Sequence, residues 1–391
     1  MTHRPATARL PQAQPPHAWS PPVPFDLGQP EDEDRLASAL EGGGIRTVID
    51  PIEHMANGLF EVRHPDRRGD ARLRADFVAN IVDQGPAFGR WWLFEWSGQL
   101  VRFPERHDLR ALRTFRNRDL ITPAEQALLY SATIAVFGLS VGSNVVERLV
   151  AAGVGGRFIL ADMDIIEPSN LNRINCAFSD VGEHKADFVA KRISSIDPYI
   201  EQVHLRSGVS AELLDGIIRE YSPDILIDEM DDLGMKARVR EAAQDHRIPV
   251  LMAGDVGDRS VIDVERHDLG AQPFHGRFGK QLHVLLNGNP TDAQKRQLLM
   301  KMVGVRNVSP RLIDSALRID TDLAGLPQLG GTAATGGALL AVAARDLLLG
   351  RRLRSGQYVC SPKRILRLQA ATTPRETWAI LRAFLASNKG R

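Results

Sequence analysis

The chain predicts a doubly wound α/β domain with a mostly parallel sheet, preceded by a small α+β unit, and three observations predict it. A continuous β-branched and aromatic run, Thr133 to Phe137, enters a Gly-containing turn. An apolar-periodic helix, Asn144 to Ala152, and a second apolar run, Arg157 to Ala161, complete a βαβ unit. Further strand-like runs at Gln202 to Leu205, Asp224 to Asp228, Pro249 to Ala253 and Val261 to Glu265 alternate with helical stretches at Lys185 to Ile196 and Leu233 to Gln244. That alternation assembles into a parallel sheet. Finally, 391 residues with 43% hydrophobic and 25% charged side chains suffice for two or three folded units with buried cores.

In chain order, residues 1–30 carry eight prolines from Pro5 to Pro30 and predict a disordered, extended arm. Residues 31–112 predict the small α+β unit. Glu31 to Leu40 has the pattern of a short helix, and the aromatic run Trp91 to Trp96 precedes Ser97-Gly98 and Leu100 to Phe103 in a hairpin. The aromatic face serves a hydrophobic core more naturally than a recognition surface. Residues 113–391 form the α/β domain, which opens on a helix with Thr122 as N-cap and Pro123 in its first turn. Leu269 to Leu329 is less regular and contains an amphipathic helix at Thr291 to Val303. A helix at Gly336 to Leu349 and a strand pair near Gln357 to Val359 and Ile365 to Leu368 close the domain.

Lys plus Arg number 49 and Asp plus Glu 48, a net +1, so no global field draws the protein to nucleic acid or membrane. Two cysteines, Cys176 and Cys360, build no disulfide framework, and without a C-x-x-C pair a structural zinc has no ligands. Both thiols read as inert packing. The longest apolar stretch, Ala338 to Leu349, contains Arg345 and Asp346 and is shorter than the roughly 20 residues of a membrane span. With no apolar signal core at the N-terminus, the expected location is cytoplasmic. A basic cluster at Arg345, Arg351, Arg352, Arg354, Lys363, Arg364 and Arg367 has only Tyr358 among it. It reads as a solvated helix end rather than a nucleic-acid surface, with tRNA left as an open alternative.

The chemistry concentrates after Phe137. Gly138-Leu139-Ser140-Val141-Gly142-Ser143-Asn144 joins the first strand to its helix, where outward backbone amides and the helix dipole suit nucleotide phosphates. Ser140 and Ser143 stand where a G-x-G-x-x-G turn has glycines, and they either donate to phosphate or fill the turn. About twenty residues past Gly142, at the end of the second strand, Asp162 and Asp164 occupy the position of a ribose-binding carboxylate. Asn170, Asn172, Arg173 and Lys185 follow and can supply hydrogen bonds and charge to a triphosphate. Asp228, Asp231 and Asp232 end a later strand, where carboxylates can hold Mg²⁺.

Asp162-Met163-Asp164, Ser169-Asn170-Leu171-Asn172-Arg173, Lys185 and Asp231 in this order resemble the signature of the E1-like ThiF/MoeB superfamily of adenylating enzymes. The similarity extends over Arg116 to Leu349. It implies a Rossmann-like adenylation domain that uses ATP and Mg²⁺, with Asp164 on the ribose, Asn170, Arg173 and Lys185 on the triphosphate, and Asp231 on the metal. Arg116-Asn117-Arg118 resembles the family's R-x-x-R segment, which implies that Arg118 reaches the phosphates of a partner subunit in a homodimer. Leu326 to Gly331, leading into the last long helix, resembles the family's return helix near the nucleotide. The resemblance further implies a carboxylate substrate on a peptide or small protein, which residues 31–112 would help to hold.

Relatives commonly carry a catalytic cysteine after the Mg²⁺ aspartate and two C-x-x-C pairs for zinc, and this chain has neither. The expected chemistry therefore stops at, or proceeds directly from, an acyl-adenylate. Two other functions fit parts of the pattern. An NAD(P)-dependent oxidoreductase fits the turn and the Asp162/Asp164 pair but leaves Arg173 and Lys185 without a task. A non-catalytic scaffold fits the serines in the turn and the missing cysteine.

Overall fold

The computed structural model describes residues 18–288, 290–319 and 321–368, with residues 375, 376, 378–380 and 382 beyond them. The first unit comprises β1 (Val23–Phe25), α1 (Pro30–Glu41), β2 (Thr47–Ile49), α2 (Ile52–Arg63), α3 (Ala71–Val82), β3 (Arg90–Phe94), β4 (Gln99–Phe103) and α4 (Arg106–Thr114). Its four strands lie in the order β1-β3-β4-β2, antiparallel except for β2 beside β4. The β3–β4 hairpin matches its expectation, and the inner faces of Trp91, Leu93 and Leu100 enclose Phe25 and Leu36.

Other details differ from the sequence reading. Residues 1–17 of the expected arm lie outside the described residues, whereas residues 23–25 form an edge strand of the sheet. Proline's missing donor is tolerated at an edge, and burial of Phe25 holds the strand there. The boundary expected after residue 112 falls inside α4. Helices α2 and α3 have no counterpart in the sequence reading. They pack Ala56, Leu59 and Ile81 into a second small core.

The α/β domain continues with α5 (Pro123–Ser131), β5 (Thr133–Phe137), α6 (Val141–Ala151), β6 (Arg157–Ala161), α7 (Lys185–Ile196), β7 (Glu201–Leu205), α8 (Ala211–Tyr221), β8 (Ile225–Asp228) and α9 (Leu233–His246). Then come β9 (Val250–Val256), β10 (Arg259–Glu265), α10 (Gln281–Asn287), α11 (Asp292–Val303), α12 (Pro310–Leu317), α13 (Gly330–Leu348), β11 (Gly356–Cys360) and α14 (Pro362–Ile365). Seven strands are ordered β11-β10-β9-β8-β5-β6-β7, parallel from β7 through β9 and antiparallel at β10 and β11. Thr122 and Glu125 form a reciprocal capping box at α5, as Thr122 and Pro123 forecast. Every residue of β5 is buried, as a central strand covered on both faces requires. Only the first of the two closing strands forms. Gly356–Cys360 pairs with β10, whereas Pro362–Ile365 is a short helix, its first turn set by Pro362.

A buried ion network fastens the end of β8. Arg240 of α9 is fully buried and pairs with Asp228 and, at 2.6 Å, with Glu265 of β10. Lys236 adds a contact of 3.2 Å to Asp228. The two units meet at α7 and the loop after it. Trp19 donates from its ring nitrogen to Ser194 Oγ and from its backbone to Asp187, each at 3.2 Å. Arg113 pairs with Asp197, and Trp92 meets Tyr199 edge-on at 5.0 Å.

Candidate nucleotide site

The carboxyl ends of β6, β5, β8 and β9 converge on the turn after β5, the crevice where open α/β sheets bind ligands. Gly138 adopts φ of +88°, and a Cβ there would lie 2.5 Å from the carbonyl carbon and oxygen of Glu229. Only glycine lets the turn lie directly against the end of β8. Gly142 sits in the first turn of α6, where a Cβ would be 3.0 Å from Val136 Cγ1.

The two aspartates after β6 do different work. Asp162 is buried, and its oxygens accept from Leu139 N at 2.6 Å and Asp164 N at 2.8 Å, so it braces the turn. Burial pushes its carboxyl above the usual value. Asp164 presents a side chain that is 64% exposed and pairs with Lys185 Nζ at 2.8 Å. Of the pair, Asp164 is the one open to a ribose. The nearly buried Lys185 starts α7, and its backbone also donates to Asp164 O.

The loop between β6 and α7 carries Arg173 over the turn. Its Nε donates to Ser140 Oγ at 3.0 Å, and one terminal nitrogen donates to Ser169 O and Asn172 Oδ1, each at 3.1 Å. Asn170 is buried, and its side-chain oxygen caps Glu167 N, which shapes the loop. Asn172 donates to Gln328 O at 2.9 Å, and Asn144 donates to Arg173 O at 3.0 Å. A Cβ on Gly330 would collide with Asn172 O, so α13 begins in backbone contact with this loop. Ser143 is buried and its hydroxyl donates to Ser140 O at 2.8 Å, an internal role in the turn. Ser140 receives Arg173 and keeps its own proton to donate.

Asp231 is exposed just past β8, one residue before Asp232, which caps α9 by accepting from Met235 N at 2.7 Å. Asp228 belongs to the buried ion network and is closed to a ligand. The exposed Arg118 stands apart from the turn. Neighbouring Asn117 donates to Ala152 O at the far end of α6, and an 11-residue helix puts about 16 Å between the two ends.

Two acids with no sequence motif complete the crevice. Glu229 holds Ala253 N at 2.6 Å through one carboxylate oxygen, and burial raises its carboxyl well above the ordinary value. Both oxygens of Asp255, near the end of β9, are buried without a protein donor among the described residues. Burial pushes this carboxyl to about 6, against the pull of Arg173. Glu229 sits inside the acidic run from Asp228 to Asp232, from which the sequence assigned it no role, and a single acid such as Asp255 at the end of another strand carries no spacing signal. Burial likewise raises the Cys176 thiol, the opposite of nucleophile activation.

A cleft of about 430 Å³ opens beside Arg173, Asn172, Asn144 and Gly330. A wider one of about 1490 Å³ lies away from the turn, over β10, β11 and α13. Among the described residues no helix is long and apolar enough to cross a membrane.

Comparison with known proteins places this crevice in a family. The chain is 37% identical over 270 residues to uncharacterized protein MT1398 of Mycobacterium tuberculosis, which covers 68% of this chain and 37% of that one. It is 32% identical over 125 residues to tRNA threonylcarbamoyladenosine dehydratase of Bacillus subtilis, covering 32% of this chain and 48% of that one. It is 34% identical over 125 residues to sulfur carrier protein adenylyltransferase of Thermus thermophilus, covering 32% and 45%. The matched region thus spans less than half the length of each of these relatives. Residues 114–364 match the model of the ThiF family, more than half of the sequence and all of the crevice, and the chain belongs to that family.

Proposed function

We propose that this chain adenylates a carboxylate with ATP. The observation that carries the reading is the meeting of Asp164, Lys185 and Arg173 around the Gly138 turn, which offers one carboxylate to a ribose and two cations to phosphates. One relative is named a sulfur carrier protein adenylyltransferase, in keeping with this chemistry. In the reaction a carboxylate oxygen attacks the α-phosphorus and the bond to the bridging oxygen breaks, releasing pyrophosphate. Arg173, Lys185 and the amides at the start of α6 stabilise the charge that develops on the phosphate oxygens. Asp164 orients the ribose, and Asp162 keeps the turn in shape from beneath.

Mg²⁺ fits the donor set, because that ion is commonly held by one or two carboxylates together with substrate phosphates, and Asp231 is an exposed carboxylate at the right strand end. It would neutralise phosphate charge there. Arg118 serves the crevice of a second copy in a homodimer, since it lies at the far end of α6 from its own turn. The substrate carboxylate belongs to a peptide or small protein. The N-terminal unit offers that chain an exposed edge strand, β2, with Val48 54% and Ile49 39% exposed.

The test is ATP–pyrophosphate exchange by the purified protein with Mg²⁺ and peptides encoded near its gene, with Asp231→Ala as control. Peptide-dependent exchange that disappears in the control supports the reading. Binding of ATP without exchange for any peptide favours the scaffold alternative.

A further inference from the structure

Lys185, the cation beside Asp164, is the first residue of a helix that starts without a side-chain cap. His184, at the cap position of α7, makes no capping bond, and its Nδ1 is buried without a partner among the described residues. An uncapped helix start leaves amides unsatisfied and frays more readily. Besides the Lys185 N–H to Asp164 O at 3.0 Å, this start is fastened by Asp187 in the first turn. The Asp187 side chain is 3% exposed, and it holds Arg206, just past β7, with Nε at 2.8 Å on one oxygen and a terminal nitrogen on the other. His204 Nε2 lies 2.9 Å from the first oxygen, and the backbone N–H of Trp19 donates to the second at 3.2 Å. Adenylation by itself gives this buried cluster no task.

Trp19 reaches α7 at a second point as well. Its ring N–H donates to Ser194 Oγ at 3.2 Å, its ring lies 5.1 Å from that of His204, and it packs against the main core of the α/β domain. Asp187 and Ser194 are seven residues apart, close to two turns, and so share one face of the helix. Lys185 precedes Asp187 by two residues and lies about 200° round from it, on the opposite side, where it meets Asp164. Two anchors on one face fix the rotation of α7 about its axis, and with it the direction of Lys185. Directly after Trp19 the chain is held by the first unit. Ser20 Oγ donates to Glu95 Oε2 at 3.0 Å, and Val23 and Phe25 pair with Leu93 and Trp91 of β3. We propose that Trp19 is a positioning residue for the nucleotide crevice: the strap from Trp19 to Phe25 ties the first unit to α7 and sets Lys185 for the phosphates of ATP. This rests on the adenylation reading and extends its site into the first unit. Such coupling is reciprocal, so bound ATP in turn holds the strap in place.

A double-mutant cycle read by calorimetric titration of ATP with Mg²⁺ into the full chain at pH 7.5 tests it. Trp19→Ala should weaken ATP binding about fivefold or more, the lower end of ordinary coupling between sites. The Arg113–Asp197 and Trp92–Tyr199 contacts remain to keep the two units together. In a Lys185→Met background the same change should cost less than about twofold, because the group it positions is gone. A purely structural role would cost the same in both backgrounds. Trp19→Phe keeps an aromatic ring against the core and loses the ring N–H, so it should fall between the parent and Trp19→Ala. It takes the place of Trp19→Ala in the cycle if circular dichroism shows that variant to be unfolded. The unaltered chain supplies an independent readout by nuclear magnetic resonance with isotope-labelled tryptophan. Saturating ATP should slow hydrogen exchange of the Trp19 ring N–H by a factor similar to the affinity loss, the signal being identified by its absence in Trp19→Phe. Parent-like affinity in Trp19→Ala, equal losses in both backgrounds, or ring exchange that ATP leaves unchanged overturns the inference and leaves adenylation standing. Parent-like affinity in Lys185→Met overturns it too, since Lys185 would then not serve the phosphates. A parent chain that binds no ATP overturns the adenylation reading and this inference with it.

Discussion

Replacing Arg240 by Met keeps most of the side-chain volume and deletes the one cation that Asp228 and Glu265 share. After the change Asp228 retains Lys236 at 3.2 Å, while among the described residues Glu265 keeps the Phe274 N–H at 2.6 Å and a His267 contact at 3.6 Å. The guanidinium also stacks 4.3 Å from the centroid of Phe274 and donates to Lys236 O at 3.0 Å, so the loop after β10 loosens too. Removing one partner of a buried pair typically costs about 3–5 kcal/mol, a large part of the roughly 5–15 kcal/mol that holds a domain together. With a urea slope of about 2–3 kcal/mol/M, the midpoint should fall by about 1–2.5 M. Circular dichroism against urea at pH 7.5 measures it. Burial alone would raise Asp228, but Lys236 and Arg240 outweigh it and hold the carboxyl below its ordinary value. The stability this gives is present above about pH 4 and is lost as pH falls through the depressed value, so the gap between the proteins should narrow in acid. A midpoint shift under about 0.3 M would refute the reasoning, since it would mean that water already solvates these charges.

Lys185→Met should lower ATP–pyrophosphate exchange by about 100-fold or more, the usual effect of removing one group that stabilises transition-state charge; exchange within threefold of the parent would remove Lys185 from the phosphates. Gly138→Ala combines a left-handed backbone with a Cβ 2.5 Å from the Glu229 carbonyl, and should cost about 2–4 kcal/mol in urea unfolding along with ATP affinity. Parent-like values for both quantities would contradict the close approach of turn and strand. Asp255→Asn should stabilise the empty protein. A carboxyl raised from 3.8 to about 6 opposes folding once pH exceeds the unfolded value, and the full penalty, up to about 3 kcal/mol, applies above the folded value. Melting curves should therefore separate at pH 8 and converge near pH 4, and coincidence at both would show that Asp255 is hydrated.

The parallel sheet was readable because its buried strands are continuous β-branched runs separated by amphipathic helices, and Thr133 to Phe137 and Arg157 to Ala161 have the same limits in the sequence and the structure. Short elements that depend on tertiary contacts were not. Three residues of β1 among prolines carry no periodicity, and only Phe25 meeting Trp91 and Leu36 makes them a strand. Ile365 to Leu368 has strand-like composition, but Pro362 opens a helical turn and among the described residues no neighbouring strand receives it. Within the crevice, motif spacing marked Asp162 and Asp164 together, yet only packing separates the buried brace from the exposed one. It left Ser143 open between phosphate and turn and marked Asn170 for the triphosphate, while in the structure the described bonds of both shape their own loops. Glu229 and Asp255 become visible only once β8 and β9 lie side by side.

On the adenylation reading, the contact between Lys185 and Asp164 also makes the crevice selective. The ammonium is already neutralised by a carboxylate 2.8 Å away, so a bare phosphate or pyrophosphate meets a half-cancelled charge and must compete with Asp164 for it. A nucleoside triphosphate bound as proposed would bring ribose hydroxyls to Asp164 as its phosphates draw on Lys185. One ligand with both parts can thus release the charge that it then uses, while fragments carrying either part alone hold on weakly.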